Sequence, residues 1–198
     1  MRIVVANALA ETLLSAVDMK NLNKSSKTAL GGIIAAVSVV LMFLTSIIPT
    51  LTYAVPAAAG LLLVIMVIEI DKKWATVVYI AVSILSALLI ADKESAVMYI
   101  AFFGYYPIVK QPIEKHLNKY LAWVIKLLIF NISIIASYLL LIYVFNLDMD
   151  DFGEFTKTAL ILLYLAFNVV FVLYDVALTR LITAYLNRWQ RQFRKIFK

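Results

Sequence analysis

Six apolar stretches divide the chain into seven polar segments. The stretches cover residues 29–48, 54–70, 74–91, 95–109, 121–146 and 158–178. A helix needs about 20 apolar residues to cross a hydrocarbon core of about 30 Å, and most of the stretches approach that length. The pattern therefore predicts an all-α integral membrane protein, in which residues 29–178 form a bundle of six transmembrane helices.

The fourth stretch, 95–109, is short for a regular spanning helix. Its 15 residues extend roughly 22 Å at about 1.5 Å per residue. It also contains Gly104 and Pro107 within an aromatic string at 102–107. Glycine and proline three residues apart predict a kinked helix, whose freed backbone carbonyls serve helix packing or contact a neighbour or a ligand.

The two ends of the chain read as surface segments. Residues 1–28 carry apolar side chains at helical spacing, but Glu11 and Asp18 interrupt them, which predicts an amphipathic segment on the cytoplasmic surface. Residues 179–198 form a basic tail with aromatic residues between the charges. This tail predicts a cytoplasmic amphipathic helix at the lipid headgroups.

The basic residues alternate between the polar segments. Of the 18 Lys and Arg residues, all but Lys93, Lys126 and Lys157 lie in the first, third, fifth and seventh segments. Basic loops stay on the cytoplasmic side of a membrane. The alternation therefore predicts a multi-pass membrane protein with both termini in the cytoplasm, and it makes 110–120 the longest internal cytoplasmic loop.

Composition supports membrane insertion. The chain is 64% hydrophobic and 15% charged, whereas a soluble domain is about half apolar and about a quarter charged. The net charge of +6 is explained by cytoplasmic loops that face anionic lipid, so no nucleic-acid partner is expected. The absence of cysteine excludes a disulfide framework and a thiol nucleophile.

No catalytic motif is present. The sequence has no phosphate-binding loop, no zinc-protease motif and no nucleophile elbow. Its single histidine, His116, lies among lysines of the predicted 110–120 loop. The acidic segment 146–157 lacks the glycine spacing of a calcium loop. We therefore expect no enzyme activity, no catalytic residues, no cofactor and no metal site.

Two charged residues fall inside the predicted spans. Lys126 and Asp175 should lie at similar depth near the cytoplasmic side, and an isolated charge there is costly. Their similar depth predicts a structural ion pair between Lys126 and Asp175. Two alternatives remain open, which are a lysine that extends to the headgroups and a proton or ion relay.

Polar side chains also gather in the outer half of the last three spans. They predict a substrate pocket that opens outward, with the following candidate residues: Lys93, Glu94, Tyr99, Asn146, Tyr164 and Asn168. The alternative for the tyrosines is an interfacial aromatic belt. The alternative for Asn168, and for Asn131 on the fifth span, is an amide that joins two helices.

Small residues recur on the first span at a spacing of four. Gly31 and Ala35 form one such pair, and Gly32 and Ala36 form another. Each pair leaves a smooth strip on which a second helix can approach closely. The strip serves either packing within the bundle or docking onto another membrane protein.

These features together resemble the substrate-binding S components of energy-coupling factor transporters. The resemblance covers the whole chain in topology, and in motif it rests on residues 28–36 followed by the proline-bearing first loop. In that family the small-residue strip is usually built of alanines, whereas glycines stand at 31 and 32 here. The aromatic string at 102–107 is similar to one in uncharacterised membrane proteins of Gram-positive bacteria, which points to an S-component-like family.

The resemblance implies a function and partners. The first helix would dock onto a transmembrane coupling subunit that works with two ATPases, and a small molecule would bind on the outer side. The outer candidate residues match that site by location only. The resemblance thus implies a membrane-embedded substrate-binding subunit of a bacterial uptake transporter, located in the cell membrane. The alternative is a membrane scaffold of the same fold that binds proteins and no solute.

Overall fold

A computed structural model describes residues 23–144 and 157–189, and all regular structure in these ranges is helical. Within them, seven α-helices follow one another: α1 Lys24–Ile47, α2 Ala54–Glu69, α3 Lys72–Leu89, α4 Lys93–Met98, α5 Tyr106–His116, α6 Lys119–Tyr143 and α7 Lys157–Ala184. A 3₁₀ turn, Pro49–Leu51, precedes α2. A π-helical turn, Tyr99–Phe103, joins α4 to α5, and a second one, Tyr185–Trp189, extends α7.

Within residues 23–144 and 157–189, four helices are long and apolar enough to cross a membrane. They are α1, α3, α6 and the part of α7 that belongs to Tyr164–Asn187. The apolar helix α2 is shorter, with 16 residues. The described part of the chain is therefore all-helical and carries several apolar helices, as a multi-pass membrane protein does, whereas the count of six spans and the sides of the termini remain predictions.

The helix bounds differ most from the predicted spans at the first, fourth and sixth spans. Helix α1 begins at Lys24, within the segment 1–28 that the sequence pattern assigns to the surface, and residues 1–22 lie outside the described part. Helix α7 continues beyond residue 178 into the predicted tail, of which 190–198 lie outside the described part.

Two sets of hydrogen bonds show which helix ends lie together at each end of the bundle. At one end, the Thr52 hydroxyl donates to Asp92 at 2.9 Å, and the Tyr53 hydroxyl donates to Glu94. At the other end, the Tyr185 hydroxyl donates to Glu69 at 3.2 Å. We call these the Asp92 end and the Lys119 end, since Lys119 begins α6 there.

The broken helix from α4 to α5 lies between two packed groups. Helices α1, α2 and α3 pack together, and Tyr99 and Ile108 of the broken helix join their core. Other residues of the broken helix join a second core with α6 and α7. The Tyr105 hydroxyl adds a hydrogen bond of 2.7 Å to Ser133 of α6.

The break in this helix has a local cause. Pro107 has no N–H group to donate to the carbonyl of Phe103, four residues earlier. Gly60 of α2 packs directly on that carbonyl, where a Cβ atom would overlap it. A glycine on the facing helix therefore allows the close approach of two backbones, as small residues do in membrane bundles.

The prediction of a loop at 110–120 is wrong for residues 110–116, which are helical. Helix α5 continues through Pro112 to His116, and Lys110 is buried with 1% of its surface exposed. Tyr106, Lys110 and Glu114 are four residues apart, so they share one face of α5. Contacts of that face with α6 and α7 compensate for the hydrogen bond that Pro112 cannot donate.

Candidate functional site

Four charged side chains meet between α5, α6 and α7, and we call them the charge cluster: Lys110, Glu114, Lys126 and Asp175. The Nζ atom of Lys126 lies 2.9 Å from Oδ2 of Asp175 and 2.5 Å from Oε1 of Glu114. The Nζ atom of Lys110 lies 2.9 Å from the same Glu114 oxygen and pairs with Oδ1 of Asp175. The cluster is therefore electrically balanced.

Asp175 is the centre of the charge cluster. Both of its oxygens accept from lysines, and the Tyr106 hydroxyl also donates to Oδ1 at 2.5 Å. Its side chain is 3% exposed, and the side chains of Lys110 and Lys126 are 2% and 4% exposed. Charges at this burial persist only where partners replace water. The cluster thus joins the last three helices of the bundle.

The charge cluster contains the predicted Lys126–Asp175 pair and two members that sequence reasoning missed. Lys110 and Glu114 fall in the segment that the sequence pattern assigns to a solvated loop. The signal that could have found them is the four-residue spacing from Tyr106 through Lys110 to Glu114, which continues the helix past Pro112.

An aromatic cluster adjoins Tyr106 on the side of the Asp92 end. Its rings come from the broken helix, α6 and α7, and are Phe102, Phe103, Tyr106, Phe130, Phe171 and Tyr174. Phe130 and Phe171 stack with centroids 4.6 Å apart, and Phe102 meets Phe171 edge-on at 5.7 Å. Such offset and edge contacts are the favoured geometries of aromatic rings.

Two tyrosine hydroxyls inside the bundle have no hydrogen-bond partner in the described part of the chain. They belong to Tyr99 of the π-helical turn and Tyr174 of α7. Tyr99 is completely buried and packs against Tyr79, with ring centroids 6.1 Å apart. Tyr174 packs edge-on against Phe103 at 5.1 Å. Buried hydroxyls normally have a hydrogen-bond partner.

The predicted binding residues Lys93 and Glu94 lie at the Asp92 end and have local contacts. The ammonium group of Lys93 donates to the carbonyls of Ala87 and Ile90 at 3.0 and 2.8 Å, and so caps the end of α3. Glu94 accepts from Tyr53. Partial burial, and then the bond to the Glu94 carboxylate, raise the pKa of Tyr53 above its usual value.

The remaining predicted binding residues are spread over the bundle. Asn168 and Asn131 bond to each other, with donor–acceptor distances of 3.1 and 3.4 Å, and so join α6 to α7. Tyr164 is 49% exposed. Asn146 lies outside the described residues. Of the five predicted binding residues that the structure describes, Tyr99 is thus the one whose polar group is buried without a partner.

The small-residue strip of α1 has two faces. Gly31 is buried, and a Cβ atom there would lie 3.1 Å from Val78 and 3.6 Å from Met66. Gly32 and Ala36 are exposed, and a Cβ atom on Gly32 would have no neighbour within 4 Å. Ala35 is half-buried. Gly31 therefore packs inside the bundle, whereas Gly32 and Ala36 face outward.

Comparisons with known proteins give no relative. No protein-family profile, no curated protein and no solved structure matches the chain. Among residues 23–144 and 157–189, no three His, Asp or Glu side chains group together in the manner of a metal site. Evidence about function therefore comes from the contacts of the chain itself.

Proposed function

We propose that this chain is the membrane-embedded, solute-binding subunit of a bacterial uptake transporter, similar to an energy-coupling factor S component. The supporting observation is the pair of buried, unpartnered hydroxyls on Tyr99 and Tyr174 in the described part of the chain. A buried hydroxyl without a partner costs about 1–3 kcal/mol. A small polar solute that accepts hydrogen bonds from both hydroxyls would remove that cost.

The residues around the two hydroxyls suit a small solute. The aromatic cluster supplies flat apolar walls next to Tyr174, and ligand sites commonly combine such walls with a few polar groups. The charge cluster, on the far side of Tyr106, holds α5, α6 and α7 together beneath the site. Lys93 and Glu94 shape the turn at the Asp92 end, where the solute would enter from outside.

The proposal also includes partners and orientation. The exposed pair Gly32 and Ala36 would dock onto a coupling subunit, which would supply energy through two ATPases. The Lys119 end would face the cytoplasm together with both termini, since it carries the lysines of the α2–α3 and α5–α6 turns.

Native mass spectrometry of gently purified protein tests the proposal. We expect a small polar molecule to copurify with the wild type and to be lost from the Tyr99→Phe and Tyr174→Phe variants. Tyr143→Phe is the matched control, because Tyr143 is exposed and is not one of the predicted binding residues. Absence of any small molecule from the wild type, or equal retention by all three variants, would refute solute binding at these hydroxyls.

A membrane scaffold remains the second candidate, and the exposed face around Gly32 favours it. A leucine at this position has room in the bundle, because a Cβ atom there would meet no atom within 4 Å, yet it would obstruct close docking of another helix. Gly32→Leu should therefore release a copurified protein partner without unfolding the chain. If the chain is a scaffold, Gly32→Leu should release the protein partner, and neither the variant nor the wild type should hold a solute. If the chain is a transport subunit, Gly32→Leu should release the coupling partner while the solute stays bound.

A further inference from the structure

Glu114 differs from the other members of the charge cluster in its exposure. Its side chain is 41% exposed, whereas those of Lys110, Lys126 and Asp175 are nearly inaccessible. The three buried groups carry a net charge of +1 on their own. The negative charge that balances them thus comes from the one member of the cluster that water and lipid can reach.

The geometry of the two lysines matches an oxyanion. Both Nζ atoms converge on the single oxygen Oε1 of Glu114, at 2.9 and 2.5 Å. Their other contacts are to Asp175 and, for Lys126, to the face of Trp123 at 4.9 Å. If Glu114 turned outward, each ammonium would keep these contacts and present one N–H group toward the exposed side. An oxygen of a phosphate group accepts such paired donors.

We propose that Lys110 and Lys126 form a binding site for the phosphodiester of an anionic phospholipid, and that Glu114 occupies this site when the lipid is absent. Glu114 lies two residues before the end of α5, so the site is at the level of the α5–α6 turn. Exposed Lys115 and Lys119 flank that turn. Basic residues at this level attract anionic headgroups. This inference is independent of the solute-binding proposal.

Lipid binding to the full chain tests the site. Delipidated protein is titrated with phosphatidylglycerol, and bound lipid is counted by native mass spectrometry. Glu114→Gln keeps the shape of the side chain and removes the competing charge, so we expect affinity to rise about tenfold, as the loss of one charge-assisted competitor implies. Adding Lys126→Met should abolish the gain. Glu94→Gln, the same change at the Asp92 end, should leave affinity unchanged.

Two further measurements identify the ligand class, and a third applies if the Glu114→Gln variant does not fold. Phosphatidylcholine should gain less than phosphatidylglycerol from Glu114→Gln, because the site has one excess positive charge; an equal gain would overturn anion selectivity. Inorganic phosphate should not displace the lipid; displacement at equimolar phosphate would overturn the lipid assignment in favour of free phosphate. If Glu114→Gln does not fold, the wild type still decides, because phosphatidylglycerol must raise its thermal midpoint more than phosphatidylcholine does.

Discussion

The substitution Asp175→Asn probes the charge cluster most severely. It removes the carboxylate that accepts from Lys110, Lys126 and Tyr106, and leaves Glu114 as the one carboxylate of the cluster for two buried lysines. Loss of one member of a buried ion pair costs about 3–5 kcal/mol, because the remaining charge stays buried without compensation. For a chain of this size, that loss corresponds to a fall of about 6–20 °C in the thermal midpoint.

The assay is thermal unfolding of the protein in one lipid nanodisc composition. Glu94→Gln is the matched control, since it removes one carboxylate charge from a less buried site and should cost less than about 1 kcal/mol. Combining Asp175→Asn with Lys110→Met restores neutrality and should recover part of the loss. A thermal midpoint for Asp175→Asn equal to that of Glu94→Gln would refute the claim that the cluster holds α5, α6 and α7 together.

The remaining predictions concern packing and orientation. Gly60→Ala should destabilise the protein by at least about 2 kcal/mol, because the added methyl group meets the Phe103 backbone, whereas Gly32→Ala should be neutral or slightly stabilising; similar thermal midpoints for the two variants would contradict the packing described for α2. A cysteine introduced at Thr50 should react with a membrane-impermeant maleimide in intact cells, and one at Asn118 should react only after permeabilisation. The reverse labelling pattern would contradict the predicted orientation.

The helices could be predicted from the sequence because apolar runs and short polar breaks are local signals. Helices α2, α3 and α6 begin and end within a few residues of their predicted bounds. The Lys126–Asp175 pair could be predicted as well, since two unpaired charges at one depth of a membrane are costly. The aromatic and polar residues of the broken helix were harder to assign, since proline and glycine indicate irregularity without specifying a π-helical turn.

The contacts between distant segments could not be predicted. Lys110 looked like a loop lysine because it follows Pro107 and begins a polar segment with Lys115 and Lys119, and proline normally ends a helix. Its burial depends on Asp175, 65 residues away. Solute binding by Lys93 and Glu94 stays a prediction, and the structure adds contacts that the sequence pattern did not indicate: Lys93 caps α3, and Glu94 accepts a hydrogen bond from Tyr53, 41 residues away. Such pairings depend on how helices rotate against one another, which sequence periodicity leaves open.

The most direct test of solute binding is an experimental structure of gently purified protein in lipid. The central claim predicts non-protein density within about 3.2 Å of the hydroxyl oxygens of Tyr99 and Tyr174, the distance of a hydrogen bond, with the aromatic cluster beside it. That density should be absent from the Tyr99→Phe variant. Side chains packed tightly around both hydroxyls, with no bound molecule and no space for one, would contradict the claim.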